Sequence, residues 1–269
     1  MMPTALRQFD VLPALSLYIH IPWCIKKCPY CDFNSHAATA AIPEDAYVDA
    51  LIRDLNAELP NVWGRRLNSI FIGGGTPSLF SAQAFERLLS HIHAVLPCKA
   101  DMEITLEANP GTFEQQKFSD YRQAGINRLS IGIQSFDERQ LQSLGRVHNG
   151  HEARLAVAMA RQAGFDNFNL DLMYALPAQN TGDVLTDLST ALEFEPSHIS
   201  QYQLTIEANT YFHTHLPDNL PENDLIWQMQ DESQQLLAAH NFSQYEVSAY
   251  AKPGKQSQHN MNYWQFGDY

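Results

Sequence analysis

Short apolar, β-branched runs alternate with helix-period segments along almost the whole chain, and this alternation restricts the fold more than any other feature. Strand candidates are Leu15 to Ile21, Ser69 to Gly73, Glu103 to Ala108, Arg128 to Ile133, Phe168 to Met173 and His198 to Leu204. Each is followed by a helical stretch. From about Glu44 to Leu59, Tyr47, Val48, Leu51, Ile52 and Leu55 fall on one face. From Ala82 to Val95, Phe85, Leu88, Leu89 and Ile92 do the same. Thr112 and Gln115 stand at capping-box spacing before another helix. Six βα units fit this pattern. They imply parallel strands joined by right-handed crossovers, in an open doubly wound sheet or a full or partial barrel. A Pro/Asn/Asp-rich break at Leu216 to Asp224 precedes a helix near Leu225 to Ala239, a strand-like Tyr245 to Ala249 and a polar tail rich in aromatics. The expected organisation is an extension at 1–14, an α/β unit at 15–215, and a helix, strand and tail at 216–269.

Composition narrows the class of partner. Among 269 residues, 17 Lys and Arg face 30 Asp and Glu, a net charge of −13, which disfavours a polyanion such as nucleic acid. Apolar residues at 45% and charged residues at 17% suffice for a folded core and exclude a disordered chain. No apolar run reaches the ~18 residues of a membrane span, and Met1 to Pro13 lacks a signal-like apolar stretch. A cytoplasmic location is the expectation.

Three of the four cysteines crowd into Cys24-x-x-x-Cys28-x-x-Cys31, on a loop tightened by Pro29. That spacing is too close for an extracellular disulfide framework. Soft thiolates select iron–sulfur clusters, zinc or copper(I), and a cubane held by three cysteines leaves one iron open to a ligand. A structural zinc site, with His20 or His36 as fourth ligand, is the alternative. Cys98 reads as an ordinary structural thiol.

The run Gly73-Gly74-Gly75-Thr76-Pro77 follows the second strand candidate. Glycines there allow close approach of backbone to a ligand, or simply a tight turn. No Lys-Ser/Thr follows, so the run is not a P-loop, and no helix opens on a third glycine as a dinucleotide fingerprint requires. In a barrel, ligand-binding groups collect at the carboxyl ends of the strands. Cys24, Gly73 to Thr76, Glu107, Gln134 and Asp171 all fall there, and with Arg146 they form a polar rim. Taken singly, each of these polar residues is as well explained by a helix cap or a rim hydrogen bond.

The C-x3-C-x2-C spacing just after the first strand resembles the radical S-adenosylmethionine superfamily. The strings IHIPWCIKKCPYCDF, IFIGGGTPS, EANPGT, RLSIGIQSF, LGRVH and NLDLMYALP resemble its coproporphyrinogen III oxidase-like branch, from Leu15 to Tyr269. The resemblance implies a partial (β/α)6 barrel and a [4Fe-4S] cluster on Cys24, Cys28 and Cys31. Its open iron chelates S-adenosylmethionine, and an electron from the cluster cleaves that cofactor to a 5′-deoxyadenosyl radical. It further implies that Tyr18 lies against the cofactor and that Gly74 and Glu107 hold the first S-adenosylmethionine. Tyr30, Gly75, Thr76, Gln134, Arg146 and Asp171 would line a second cofactor or substrate position.

Two subfamilies share these strings. The oxygen-independent coproporphyrinogen III oxidases carry a fourth cysteine two residues after the third, where this chain has Phe33, and a longer arm before the first strand. The heme-chaperone subfamily carries phenylalanine there and a later H-N-x-x-Y-W motif, matched by His259-Asn260-Met261-Asn262-Tyr263-Trp264. The resemblance therefore favours a heme carrier that delivers heme to hemoproteins, respiratory ones among them, and that forms a cluster-dependent homodimer. His259 would be the axial heme ligand and Tyr263 an alternative one. A radical decarboxylase and a zinc-stabilised α/β binding module are the competing readings, and no catalytic acid or base is assigned. Family members continue past the position of Tyr269 with a glycine-rich strand and a smaller C-terminal domain, so the chain is expected to be truncated.

Overall fold

The computed structural model describes residues 12–111 and 117–269. The pair Thr112 and Gln115 lies outside the described residues, as does most of the 1–14 extension. The strands are β1 (Leu15–Ile21), β2 (Leu67–Gly74), β3 (Cys98–Ala108), β4 (Arg128–Gln134), β5 (Phe168–Tyr174), β6 (His198–Gln203), β7 (Ser243–Gln244) and β8 (Ala249–Ala251). The helices are α1 (Glu44–Val62), α2 (Ala82–Val95), α3 (Phe118–Gln123), α4 (Glu138–Ser143), α5 (Gly150–Gln162), α6 (Thr181–Glu193), α7 (Tyr211–Thr214), α8 (Asn223–Ala239) and α9 (Gln258–Trp264). A two-residue ribbon, Trp23–Cys24 with His36–Ala37, ties off the cysteine loop.

The sheet order is β1-β2-β3-β4-β5-β6-β8-β7. The first six strands run parallel in sequence order, and β8 and β7 extend the far edge antiparallel. This is the architecture of a six-stranded partial barrel. One expectation is corrected at the far edge. Tyr245 to Ala249 is chiefly the turn between two short strands, because the two backbones pair only at Ser243 and Gln244 against Tyr250 and Ala251. Within the aromatic tail Ser257 caps α9 by accepting the Asn260 N–H, so His259 sits on a helix.

Each parallel strand presents two chemically different faces, as the period-2 alternation of side chains requires. Ile19, Ile21, Ile70, Ile72, Leu106, Ile131, Leu170 and Ile199 point outward into one hydrophobic layer with Phe85, Leu88, Ile92, Val157 and Leu188 of the helices. Full burial of such a side chain contributes roughly 1.5–3 kcal/mol. That layer continues through Met229 and Leu237 of α8 to Phe242 and Tyr250. The inward residues are polar: Ser69, Glu107, Arg128, Ser130, Asn169, Asp171, His198 and Ser200. The lumen is consequently open where an apolar barrel interior would be filled.

Helix starts are fixed locally. Asn149 with Glu152 and Asn180 with Asp183 form reciprocal capping boxes for α5 and α6. Ser81 caps α2, and its N–H and hydroxyl both donate to Glu44 Oε2, which clamps α1 against α2. Among the described residues no helix is long and apolar enough to cross a membrane.

Candidate cofactor site and histidine helix

At the carboxyl ends of the strands the lumen opens into a cavity of about 710 Å³. Cys24, Cys28, Tyr30, Cys31, Gly74, Gly75, Thr76, Glu107, Gln134, Arg146 and Asp171 all line it. A second chamber of about 250 Å³ lies deeper and holds Tyr18 and His259, sharing Glu107 and Asp171 with the first. The residues singled out in the sequence thus divide into an upper group of eleven and a lower pair.

The cysteine loop is held from several sides. The N–H groups of His36 and Ala38 donate to the carbonyls of Pro22 and Cys24, at 2.7 and 2.8 Å. Lys27 Nζ donates to the carbonyls of Phe33 and Ser35. The Phe212 N–H donates to the Pro29 carbonyl. All three cysteines are free, Cys24 buried and the other two partly exposed. Burial pushes the Cys24 thiol up, while Thr76 and Ser35 pull it back.

The donor set is three thiols facing one cavity, and the other groups around it are arranged toward a ligand. The glycine run packs flat against the loop: a Cβ on Gly75 would come within 2.6 Å of the Trp23 carbonyl and 3.0 Å of Cys24 Sγ. Gly74, at φ +120, would strike the His20 imidazole at 2.7 Å. Both positions therefore require glycine. Arg146 reaches Cys28 Sγ at 3.5 Å and donates to Asn109 Oδ1 and the Gly132 carbonyl, while its buried Nε has no partner. These features fit a thiolate-held cluster with an adjacent ligand. Among the described residues no three His, Cys, Asp or Glu side chains close around a single ion. The zinc alternative gains nothing from His20, whose two nitrogens meet Tyr18 Oη and the Asn34 carbonyl.

Two half-buried carboxyls, Glu107 and Asp171, lie where the two chambers meet. Burial, and then the charge of Asp171, push Glu107 up to about 8, and its one backbone donor, the Gly74 N–H at 3.1 Å, offsets this only in part. Burial also raises Asp171, against donation from Asn169 and Ser130. Asp171 has two side-chain donors, Asn169 and Ser130, whereas Glu107, pushed up to about 8, holds a proton near pH 7. An incoming ammonium would reverse the state of Glu107.

Gln134 closes β4 at φ +68, a conformation L side chains rarely adopt, and its Oε1 accepts from Tyr202 Oη at 2.6 Å. Strain of this kind persists where the surroundings over-determine it. Sequence reasoning missed Asn109, which donates to Thr76 Oγ1 and accepts from Arg146. It also missed Tyr202. The EANPGT string carried Asn109, but only the fold brings it between the second and fourth strand ends.

His259 is built into the lower chamber. It is 3% exposed and stacks on Phe71 at 5.2 Å. Its Nδ1 lies 3.2 Å from Ser69 Oγ and its Nε2 3.0 Å from Tyr263 Oη. Burial depresses it to about 4, so the ring is neutral near pH 7. Outside it, Tyr263, Trp264, Phe266 and Tyr269 expose aromatic surface.

The chain matches the model of the radical SAM superfamily over residues 18–191. It is 55% identical over 258 residues to the heme chaperone HemW of Escherichia coli, covering 96% of this chain and 68% of that protein. It is 36% identical to the heme chaperone HemW of Bacillus subtilis over 253 residues, covering 93% of this chain and 66% of that one. Among solved structures, the coproporphyrinogen III oxidase HemN of Escherichia coli superposes with a TM-score of 0.81 at 26% identity, covering 90% of this chain and 56% of the other. The parallel strand order, the cysteine loop after the first strand and these likenesses agree, and the chain belongs to the radical S-adenosylmethionine superfamily, in its HemN-like branch beside the HemW heme chaperones.

Proposed function

We propose that this chain is the cofactor-binding part of a heme chaperone of the HemW type, which binds heme and passes it to hemoproteins. Cys24, Cys28 and Cys31 would hold a [4Fe-4S] cluster, and Glu107 with the Gly74 backbone would hold the ammonium of S-adenosylmethionine. Bound, that pair supplies one-electron chemistry in the family. The chain's own contribution is to bind and orient: Arg146 with its unpartnered Nε offers a donor for a carboxylate, and Asp171 offers an acceptor.

One observation supports a carrier over a porphyrinogen decarboxylase. The carboxyl side chains lining the large cavity, Asp32, Glu107, Asp171, Glu207 and Glu246, outnumber the bases Lys26 and Arg146. Coproporphyrinogen III presents four propionates, and a cavity with more acids than bases, even with Glu107 protonated, disfavours them. Phe33, at the place where the oxidases carry a fourth cysteine, argues the same way. Heme is expected instead on the aromatic face of α9, with His259 as axial ligand once its Nε2 leaves Tyr263.

The oxidase reading keeps one support, the structural likeness to HemN. Both readings meet in one experiment: an anaerobic optical titration of the cluster-loaded protein with heme, beside His259→Ala and Cys24→Ala. A saturable Soret band lost only in His259→Ala supports the carrier. A band equal in all three proteins, or protoporphyrinogen IX formed from coproporphyrinogen III under reducing conditions, overturns it. Zinc at one equivalent without iron would favour the binding module.

A further inference from the structure

The lower chamber contains a chain of hydrogen bonds whose direction is fixed by its chemistry. Asn169 Nδ2 donates to Asp171 Oδ1 at 2.7 Å and to Ser130 Oγ at 2.8 Å, so Asn169 Oδ1 is an acceptor. His198 Nδ1 lies 2.6 Å from that oxygen and must carry the proton. Its Nε2 is then the acceptor and takes the Tyr245 hydroxyl proton at 2.7 Å. The Tyr245 oxygen in turn accepts from the Ser257 N–H at 3.3 Å and Asn260 Nδ2 at 3.2 Å. Every link donates toward Asp171, and such chains polarise one another.

His198 is 2% exposed. Burial and the nearby Arg128 hold it neutral, which the direction of the chain requires. The acids around this segment are tied elsewhere: Glu103 accepts from Ser257 Oγ and the Gln258 N–H, and Glu246 from Ser248. Arg128 stands 3.8 Å from Glu103. One end of the chain is therefore the carboxylate where the two chambers meet, and the other is the first turn of the helix that carries His259.

We infer that His198 and Tyr245 are positioning residues that couple the cofactor cavity to the histidine helix, through the one-way chain from Ser257 and Asn260 to Asp171. The ammonium that Glu107 would hold, settling beside Asp171, offsets part of that carboxylate's charge, weakens the pull along the chain and shifts the anchoring of α9. Binding at α9 acts back on Asp171 by the same amount, because coupling of binding equilibria is reciprocal. The heme end of this statement rests on the function proposed above, and the Asp171 end does not.

The test is Tyr245→Phe, which deletes one hydroxyl and keeps the ring. Anaerobic, cluster-loaded protein is titrated with heme, with and without saturating S-adenosylmethionine, and the reverse pair is measured as well. In the wild type each ligand is expected to change the Kd of the other by the same factor, about fivefold or more. In Tyr245→Phe that factor falls to one while heme still binds. No coupling in the wild type, or coupling undiminished in the variant, overturns the inference. If heme fails to bind the wild type, the carrier reading falls, and the Kd for S-adenosylmethionine alone decides. A severalfold weakening in Tyr245→Phe supports the positioning role, and an unchanged Kd removes it. Should Tyr245→Phe not fold, His198→Gln cuts the chain at its next link and is read in the same way.

Discussion

The upper cavity and the lower chamber share five strands, β2 to β6, yet their polar groups are arranged in opposite ways. Above, groups are left partly unmet: Arg146 Nε has no partner, Glu107 has a single backbone donor, and three thiols are free. Below, the histidines are satisfied, His259 by Ser69 and Tyr263 and His198 by Asn169 and Tyr245, and the one orphan among the chamber's described side chains, Arg128 Nε, stands 3.8 Å from Glu103. Buried polar groups without partners cost stability, whereas paired ones are close to neutral. The upper groups are thus the ones set aside for a ligand, and the lower ones hold a helix. His259 is the exception that joins the two, since a ligand role requires it to leave a satisfied site.

The largest test of this contrast removes a thiol. Cys28→Ala is expected to abolish iron incorporation on anaerobic reconstitution while the fold persists, because Cys28 is partly exposed and its thiol meets only the ends of two long side chains, Arg146 and Tyr30, among the described residues. Iron analysis and circular dichroism read the two halves. Loss of the fold along with the iron would show that the upper groups serve the scaffold after all.

A smaller effect is expected at Glu107. Hydrogen bonds to charged groups contribute about 1.5–3 kcal/mol, so Glu107→Gln should weaken S-adenosylmethionine roughly 10- to 150-fold. The pH dependence sharpens the point. Below about 8 the free protein holds a proton on Glu107, and binding an ammonium ionises it. Binding therefore releases about one proton near pH 6.5 and tightens as pH rises toward 7.5, until the ligand's own amine begins to deprotonate. Calorimetry in two buffers of different ionisation enthalpy measures this release in the wild type, and Glu107→Gln should show none. An equal release in both proteins would mean that another group meets the ammonium.

How much of this was legible before the structure follows the same division. The six strands were readable to within a few residues because most of them alternate outward apolar residues, chiefly Ile and Leu, with inward polar ones. β1 and α2 end where the pattern ends. β3 begins earlier than expected, at Cys98, because its polar first half, Cys98 to Asp101, shows no apolar alternation. The upper site was legible because strand-end residues and a cysteine spacing are local signals. The lower chamber was not, because Tyr245, His198 and Asn169 are brought together over 76 residues of chain by pairing of β5, β6 and β8, and no spacing records that. His259 was found by its motif, but its burial was not foreseen, because a seven-residue helix with four exposed or half-exposed aromatics nearby reads as surface.

The smallest expected effect bears directly on that residue. Tyr263 Oη occupies His259 Nε2, the ring nitrogen that faces the exposed aromatics, and Tyr263 is 38% exposed. An iron atom approaching Nε2 must displace this hydroxyl, and a neutral hydrogen bond contributes about 0.5–1.5 kcal/mol net. Tyr263→Phe removes the competitor and keeps the ring that packs edge-on against the imidazole at 5.0 Å. Heme should then bind roughly 2- to 10-fold more tightly, with an unchanged Soret position, because the ligand atom is the same. If Tyr263 is instead the axial ligand, the same substitution weakens binding and shifts the band. An optical titration separates the two by the sign of the change, and with it decides whether the lower chamber yields its histidine or keeps it.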